Sequence, residues 1–96
     1  MNKYVIEREI PGVGALQGKS LQQAAARSNA VLDELGTDVQ WLESFVAADK
    51  MFCVYLGTSE EIIRKHAELS GFPATKIVEI GKVIDPTTGN CKLFGN

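Results

Sequence analysis

The sequence predicts an α+β fold, the ferredoxin-like βαββαβ domain, in which a four-stranded antiparallel sheet carries two helices on one face. Three observations point to it. Stretches rich in β-branched and aromatic residues alternate with helical periodicity in the order β, α, β, β, α, β. The two central strands are separated only by the turn Ala48-Asp49-Lys50, which makes them a hairpin. In that hairpin residues of both parities are apolar or aromatic, as in a sheet buried on both faces. Helices cover one face; the other needs cover too, so a homodimer packed sheet against sheet is expected.

Each element has its own signal. Residues 3–9, KYVIERE, contain Tyr4, Val5 and Ile6 and stop at Pro11-Gly12, a pair that breaks strand pairing. Residues 11–19 read as a flexible glycine-bearing loop. Ser20 and Gln23 form a capping-box pattern, so helix one is expected from about residue 21 to residue 35, with Gly36 as its C-cap. Leu21, Ala24, Ala25, Ser28, Val31, Leu32 and Leu35 recur at helical spacing and give that helix one buried face. Residues 39–47 and 51–56 are the hairpin strands. Thr58 or Ser59 caps helix two over residues 60–70; Glu60 and Glu61 lie at its positive end, and Gly71 and Pro73 stop it. Residues 76–84 read as the last strand, ended by Asp85-Pro86, and 86–96 as a C-terminal loop or tail with room for a short strand at 92–94. The whole chain, 1–96, reads as one domain.

Composition narrows the function classes. Ten Lys and Arg scattered among twelve Asp and Glu give a net charge of -2, with no basic patch for nucleic acid. Hydrophobic residues at 45% and charged residues at 23% are ordinary for a folded globular protein. The first residues, MNKYVIEREIPG, lack the apolar core of a secretion signal, and no segment reads as a membrane span, so a cytoplasmic protein is expected. Cys53 and Cys91 are far apart and outside any CxxC pair, which argues for reduced thiols rather than a disulfide framework or a Cys-rich zinc site. Gly18-Lys19-Ser20 mimics the end of a phosphate loop, but Gly12 stands six residues before Gly18 rather than five, so the spacing fails.

Val5, Glu7, Arg8 and Pro11-Gly12, followed by Val39, Trp41, Ser44, Val46, Asp49-Lys50, Cys53-Val54-Tyr55, Glu60, His66-Ala67 and Gly71-Phe72-Pro73, resemble the wording of a family of small bacterial proteins. That family has been catalogued as a domain of unknown function, and one member is described as nickel-binding. The resemblance runs to about Ile84 and implies a dimeric ferredoxin-like fold with metal binding. In that family the position of Glu43 is often His, within a W-x-H-S-Y-V wording; here Glu43 and Phe45 depart from it. Losing an imidazole weakens a nickel site, because nickel prefers nitrogen to carboxylate alone.

The candidate residues gather around the hairpin and helix two. His66 falls on the apolar face of helix two, either as a core histidine tied to a strand or as a ligand or proton carrier. Glu7, in a central strand, is the first carboxylate candidate if it faces the core; the alternative is that it points away and pairs with a lysine or with Arg8 of a second copy. Glu43 stands between Trp41 and Phe45, and Cys53 between Phe52 and Val54, where a buried thiol is usually inert. Trp41 and Tyr55 read first as core or interface aromatics with one polar tip each, and for a bound ligand they would serve as pocket walls. A two-residue hairpin loop is favoured; it would put Trp41, Glu43 and Phe45 with Phe52, Val54 and Leu56, and Cys53 and Tyr55 with Leu42, Ser44 and Val46. Glu43 and Cys53 would then not share a site within one subunit.

Two functions are compatible with these residues. The first is a dimeric binding protein for a nickel-like divalent metal, held by His66 with one or more of Glu7, Glu43 and Cys53, or for a small ligand against Trp41 and Tyr55. The second is a cofactor-free enzyme of the dimeric α/β-barrel type, with His66 as proton shuttle, which requires a cavity between helices and sheet.

Overall fold

The computed structural model describes residues 1–90. Within them the strands are β1 (Asn2–Glu9), β2 (Val39–Val46), β3 (Lys50–Gly57) and β4 (Lys76–Ile80), and the helices are α1 (Lys19–Leu35) and α2 (Glu60–Ser70). The sheet order is β2-β3-β1-β4, and every neighbouring pair is antiparallel. This is the ferredoxin-like fold that the segment order predicts. The short strand expected at 92–94 lies outside the described residues.

The two-residue period of β1 sets the layers. Tyr4, Ile6 and Arg8 are buried beneath the helices, while Lys3, Val5 and Glu7 face the other way and are half-buried. Cys53 and Tyr55 on β3 share the helix side, and with Tyr4, Ile6, Val39 and Ile63 they form the core; Leu32 and Leu35 of α1 and Ile62 of α2 close over it. The open side carries Phe45 at 56% and Phe52 at 36% exposure, directly opposite each other across β2 and β3.

Ala47 N–H donates to the Lys50 carbonyl at 2.8 Å, so Ala48-Asp49 is a two-residue hairpin turn, as the sequence predicts. Phe45 pairs with Phe52, Glu43 with Val54 and Ser44 with Cys53, as that turn requires. The expected register fails beyond Glu43. A bulge between Trp41 and Glu43 shifts the ladder, so Trp41 lies opposite Tyr55 on the helix side instead of sharing a face with Glu43. Leu42, taken up by the bulge, is 46% exposed and does not join the Cys53 and Tyr55 face.

Helix ends follow local chemistry in one case and long-range contact in the other. Ser59 caps α2 by accepting the Ile62 N–H, and Gly71 closes it with φ 77° and an N–H donated to Ala67 O. The capping box expected at Ser20 is absent. Gly18, at φ 51°, turns the chain into α1 two residues earlier, and Ser20 spends its N–H on Gln17 O. Residues 11–19 are likewise not a free loop. Ile10 and Gly14 N–H groups donate to Asp49 O and Ala48 O, the Gly12 N–H reaches Asp49 Oδ1 at 2.8 Å, and Val13 is buried in a 3-10 turn, Val13–Ala15.

β4 stops at Ile80 rather than 84. Its partner β1 begins at Asn2, and Lys3 opposite Ile80 is the last pair, so the chain beyond has no ladder to join. Val83 and Ile84 are correspondingly exposed at 67% and 78%.

Candidate functional site

The helix side of the sheet is not filled everywhere. Where α1 crosses β2 and β3 it presents Ala24, Ala25 and Ser28, and these small side chains leave a cavity of about 420 Å³. That is ligand-sized, since small-molecule sites run from roughly 300 Å³ upward. Trp41, Met51, Cys53 and Tyr55 form its sheet wall, Val13 and Leu16 one rim, and Phe72 and Pro73 the other. The rim exists because the 11–19 segment is fastened to the hairpin turn and because α2 ends at Gly71.

The polar group that dominates this chamber is Arg8. It is 1% exposed, and its guanidinium is held on three sides: Nε donates to Cys53 Sγ at 3.4 Å, and Nη1 to the carbonyls of Phe72 at 3.4 Å and Pro73 at 2.9 Å. Its Cζ lies 5.7 Å from the centroid of the Phe72 ring, which Arg27 approaches at 5.6 Å. Nη2 is buried and, among the described residues, has no partner. Among the described residues no carboxylate forms an ion pair with Arg8. A buried cation without an anion is costly, and this one lines an apolar chamber.

Behind the chamber wall a second polar group is sealed. His66 is fully buried on α2, with Nε2 3.1 Å from Ser28 Oγ; Ser28 Oγ is in turn 3.4 Å from Tyr55 Oη. The imidazole sits 5.0 Å from the Tyr55 ring, centroid to centroid, and among the described residues its Nδ1 has no partner. Burial first, then the charge of Arg8, pushes its pKa below 6.5, against the opposing effect of Ser28. Tyr55 is pushed up by burial, an effect that the Ser28 hydrogen bond and Arg8 oppose. The imidazole is therefore neutral near neutrality. It does not itself line the chamber; Ser28 and Tyr55 do.

The residues singled out from sequence are thus divided. Trp41, Tyr55 and Cys53 line the chamber, with His66 behind it. Glu7 and Glu43 stand on the opposite face of the sheet, because Glu7 alternates with Ile6 and Arg8, and Glu43 pairs beside Val54. Glu7 points away from the core and pairs with Lys50 at 2.7 Å, and the Lys50 hydrogen bond lowers its pKa. Among the described residues no three His, Cys, Asp or Glu side chains converge to hold a metal ion. Arg8 and Ser28 are the site residues that the sequence reading missed. Each had a signal: Arg8 is in phase with Tyr4 and Ile6, and Ser28 lies in the apolar stripe of α1.

Fold and cavity together define a class: a small ferredoxin-like α+β protein with a chamber between its first helix and its sheet. The chain belongs to the family described as "Nickel responsive protein SCO4226-like", whose model matches residues 4–80. The crystal structure of SCO4226 from Streptomyces coelicolor A3(2) has the same fold, with a TM-score of 0.71 at 20% identity over 85% of this chain and 99% of that one. Comparison with curated proteins found no match. No helix among the described residues is long and apolar enough to cross a membrane.

Proposed function

We propose that this protein binds a small, largely apolar organic anion in the chamber, with a carboxylate on Arg8 and the ligand body against Trp41 and Tyr55. One observation carries the reading: Arg8 Nη2 is buried and unpartnered in a residue that lines a cavity of about 420 Å³. A carboxylate there supplies both the missing acceptor and the missing countercharge. Benzoate is a suitable probe, and Trp41, the single tryptophan, reports on it by fluorescence. Benzoate titration by calorimetry and Trp41 fluorescence should show saturable binding in the wild type and a loss of about tenfold or more in Arg8→Met, the value of a charge-assisted hydrogen bond. No saturable signal with benzoate or a medium-chain alkyl carboxylate counts against the reading.

Nickel is the second reading, favoured by the family description. A divalent cation beside His66 or Cys53 would meet the charge of Arg8, whereas Glu7 and Glu43 stand on the other side of the sheet. On this reading we propose the open face, away from the charge of Arg8, with Glu43 as the carboxylate to test. Nickel uptake by tag-free protein that survives Arg8→Met and falls in Glu43→Ala supports it; uptake lost in His66→Ala instead returns the ion to the chamber side. The open face is also where we propose that a second copy packs.

A further inference from the structure

We propose that Cys53 is a covalent capture site for anionic electrophiles, of which an α,β-unsaturated carboxylate is the simplest class; the inference rests on the anion-binding reading of Arg8. Cys53 Sγ lines the chamber and accepts the Nε–H of Arg8 at 3.4 Å. In the planar guanidinium Nη1 lies cis to Cδ and Nη2 shares an edge with Nε–H, so the unpartnered Nη2 is the nitrogen next to the one that faces sulfur, while Nη1 donates to the Phe72 and Pro73 carbonyls. A carboxylate bound at Nη2 is therefore delivered beside the sulfur. Reactive cysteines are found next to Arg, Lys or His in partly exposed sites; Cys53 is 3% exposed and lines the chamber, so the chamber is its route to a reagent. Holding an electrophile there converts a bimolecular encounter into an oriented one.

The chemistry balances without any further reagent. Sulfur forms a bond to the β-carbon of the ligand, and the C=C π pair moves towards the α-carbon and the carboxylate, where Arg8 stabilises the developing charge. The α-carbon then takes the proton that the thiol gave up. No group leaves and nothing is oxidised.

Iodoacetate and iodoacetamide test this directly, because they differ in the charge that Arg8 would read. In the Cys91→Ser variant, which retains Cys53 as its one thiol, alkylation is followed by intact mass; the C–S bond forms, iodide leaves and the thiol proton goes to water. With rates normalised to glutathione, iodoacetate should outpace iodoacetamide by about tenfold. Benzoate should slow iodoacetate labelling, Arg8→Met should bring the ratio to about one, and incubation with acrylate should add one acrylate to Cys53. A ratio at or below one in the folded Cys91→Ser protein overturns the proposal, and the benzoate competition decides the matter even where Arg8→Met fails to fold. Benzoate binding with a ratio of one removes covalent capture and leaves the binding reading standing; no binding and a ratio of one removes both.

Discussion

Arg8 is buried because β1 has a period of two and Arg8 falls in phase with Tyr4 and Ile6. Two carbonyls and the Phe72 ring offset part of its desolvation, and among the described residues no carboxylate pairs with it. Arg8→Met removes the buried charge but also leaves the Phe72 and Pro73 carbonyls without their donor, a loss of about 1–3 kcal/mol that relief of the desolvated charge opposes. Arg8→Met should therefore stay folded within about 3 kcal/mol of the wild type in urea while losing benzoate; a larger destabilisation would assign the guanidinium to folding instead. His66 makes the second prediction at this scale. Its folded pKa lies below 6.5, by burial first and then by Arg8, so the unfolded chain takes up the proton before the folded one does. Stability is thus intact above about pH 6.5 and falls as the pH drops through the folded value. Glu7, also lowered, begins to contribute its own loss only below about 4.5, so the two losses set in at different pH. Urea midpoints measured from about pH 7 to about pH 5 should decline in the wild type and stay nearly level in His66→Gln. A flat wild-type profile would show that His66 is protonated as readily inside the fold as outside it.

At the scale of elements, two glycines hold parts together by what they lack. A Cβ on Gly14 would come within 2.6 Å of Ala47 O and 2.8 Å of Ala48 Cα, both backbone atoms of the hairpin turn region. A Cβ on Gly57 would meet Ile63 Cδ1 at 2.9 Å, the far end of a side chain that can turn away. Overpacking typically costs about 1–3 kcal/mol, and Gly14→Ala should lie at the upper end with Gly57→Ala below it. Gly14→Ala should also weaken benzoate binding, because the segment it displaces supplies Val13 and Leu16 to the rim; equal urea midpoints for the two variants would contradict this ranking. The same contrast explains what could be read in advance. The caps of α2, Ser59 and Gly71, are local and were legible in the residues beside them. The start of α1 was not, because Gly18 is placed by a segment anchored to Ala48 and Asp49, some thirty residues away in sequence. The Trp41 bulge and the end of β4 were hidden for a similar reason: one depends on how β2 accommodates Leu42, the other on where β1 begins. Cys53, Tyr55 and His66 were legible as a group because hairpin and helix signals are local. Their true organiser, Arg8, binds carbonyls more than sixty residues away.

At the scale of the whole molecule, the unsatisfied feature is the sheet face away from the helices. Phe45, Phe52 and Val78 are exposed there, and half-buried Val5, Val54, Leu56 and Ile80 fill the spaces between them. The charged residues of this face, among them Lys3, Glu7, Lys50 and Lys76, lie mainly towards its ends, and Lys50 is already paired with Glu7. An apolar centre with a polar rim is the anatomy of an interface. Burial of apolar surface contributes roughly 25 cal/mol per Å², so a patch of this kind gains most by meeting its own copy across a two-fold axis, where each Phe45–Phe52 pair is used twice. The expected result is a dimer by light scattering at micromolar concentration. Phe52→Asp should dissociate it, since Phe52 sits on the inner strand β3 and a carboxylate there would be buried without a partner. The cavity lies on the other side of the sheet, so the monomeric Phe52→Asp protein should still bind benzoate, and loss of binding on dissociation would mean that the chamber depends on the second copy. A wild-type monomer at the same concentration would refute the sheet-to-sheet dimer and leave this face without a partner of its own kind.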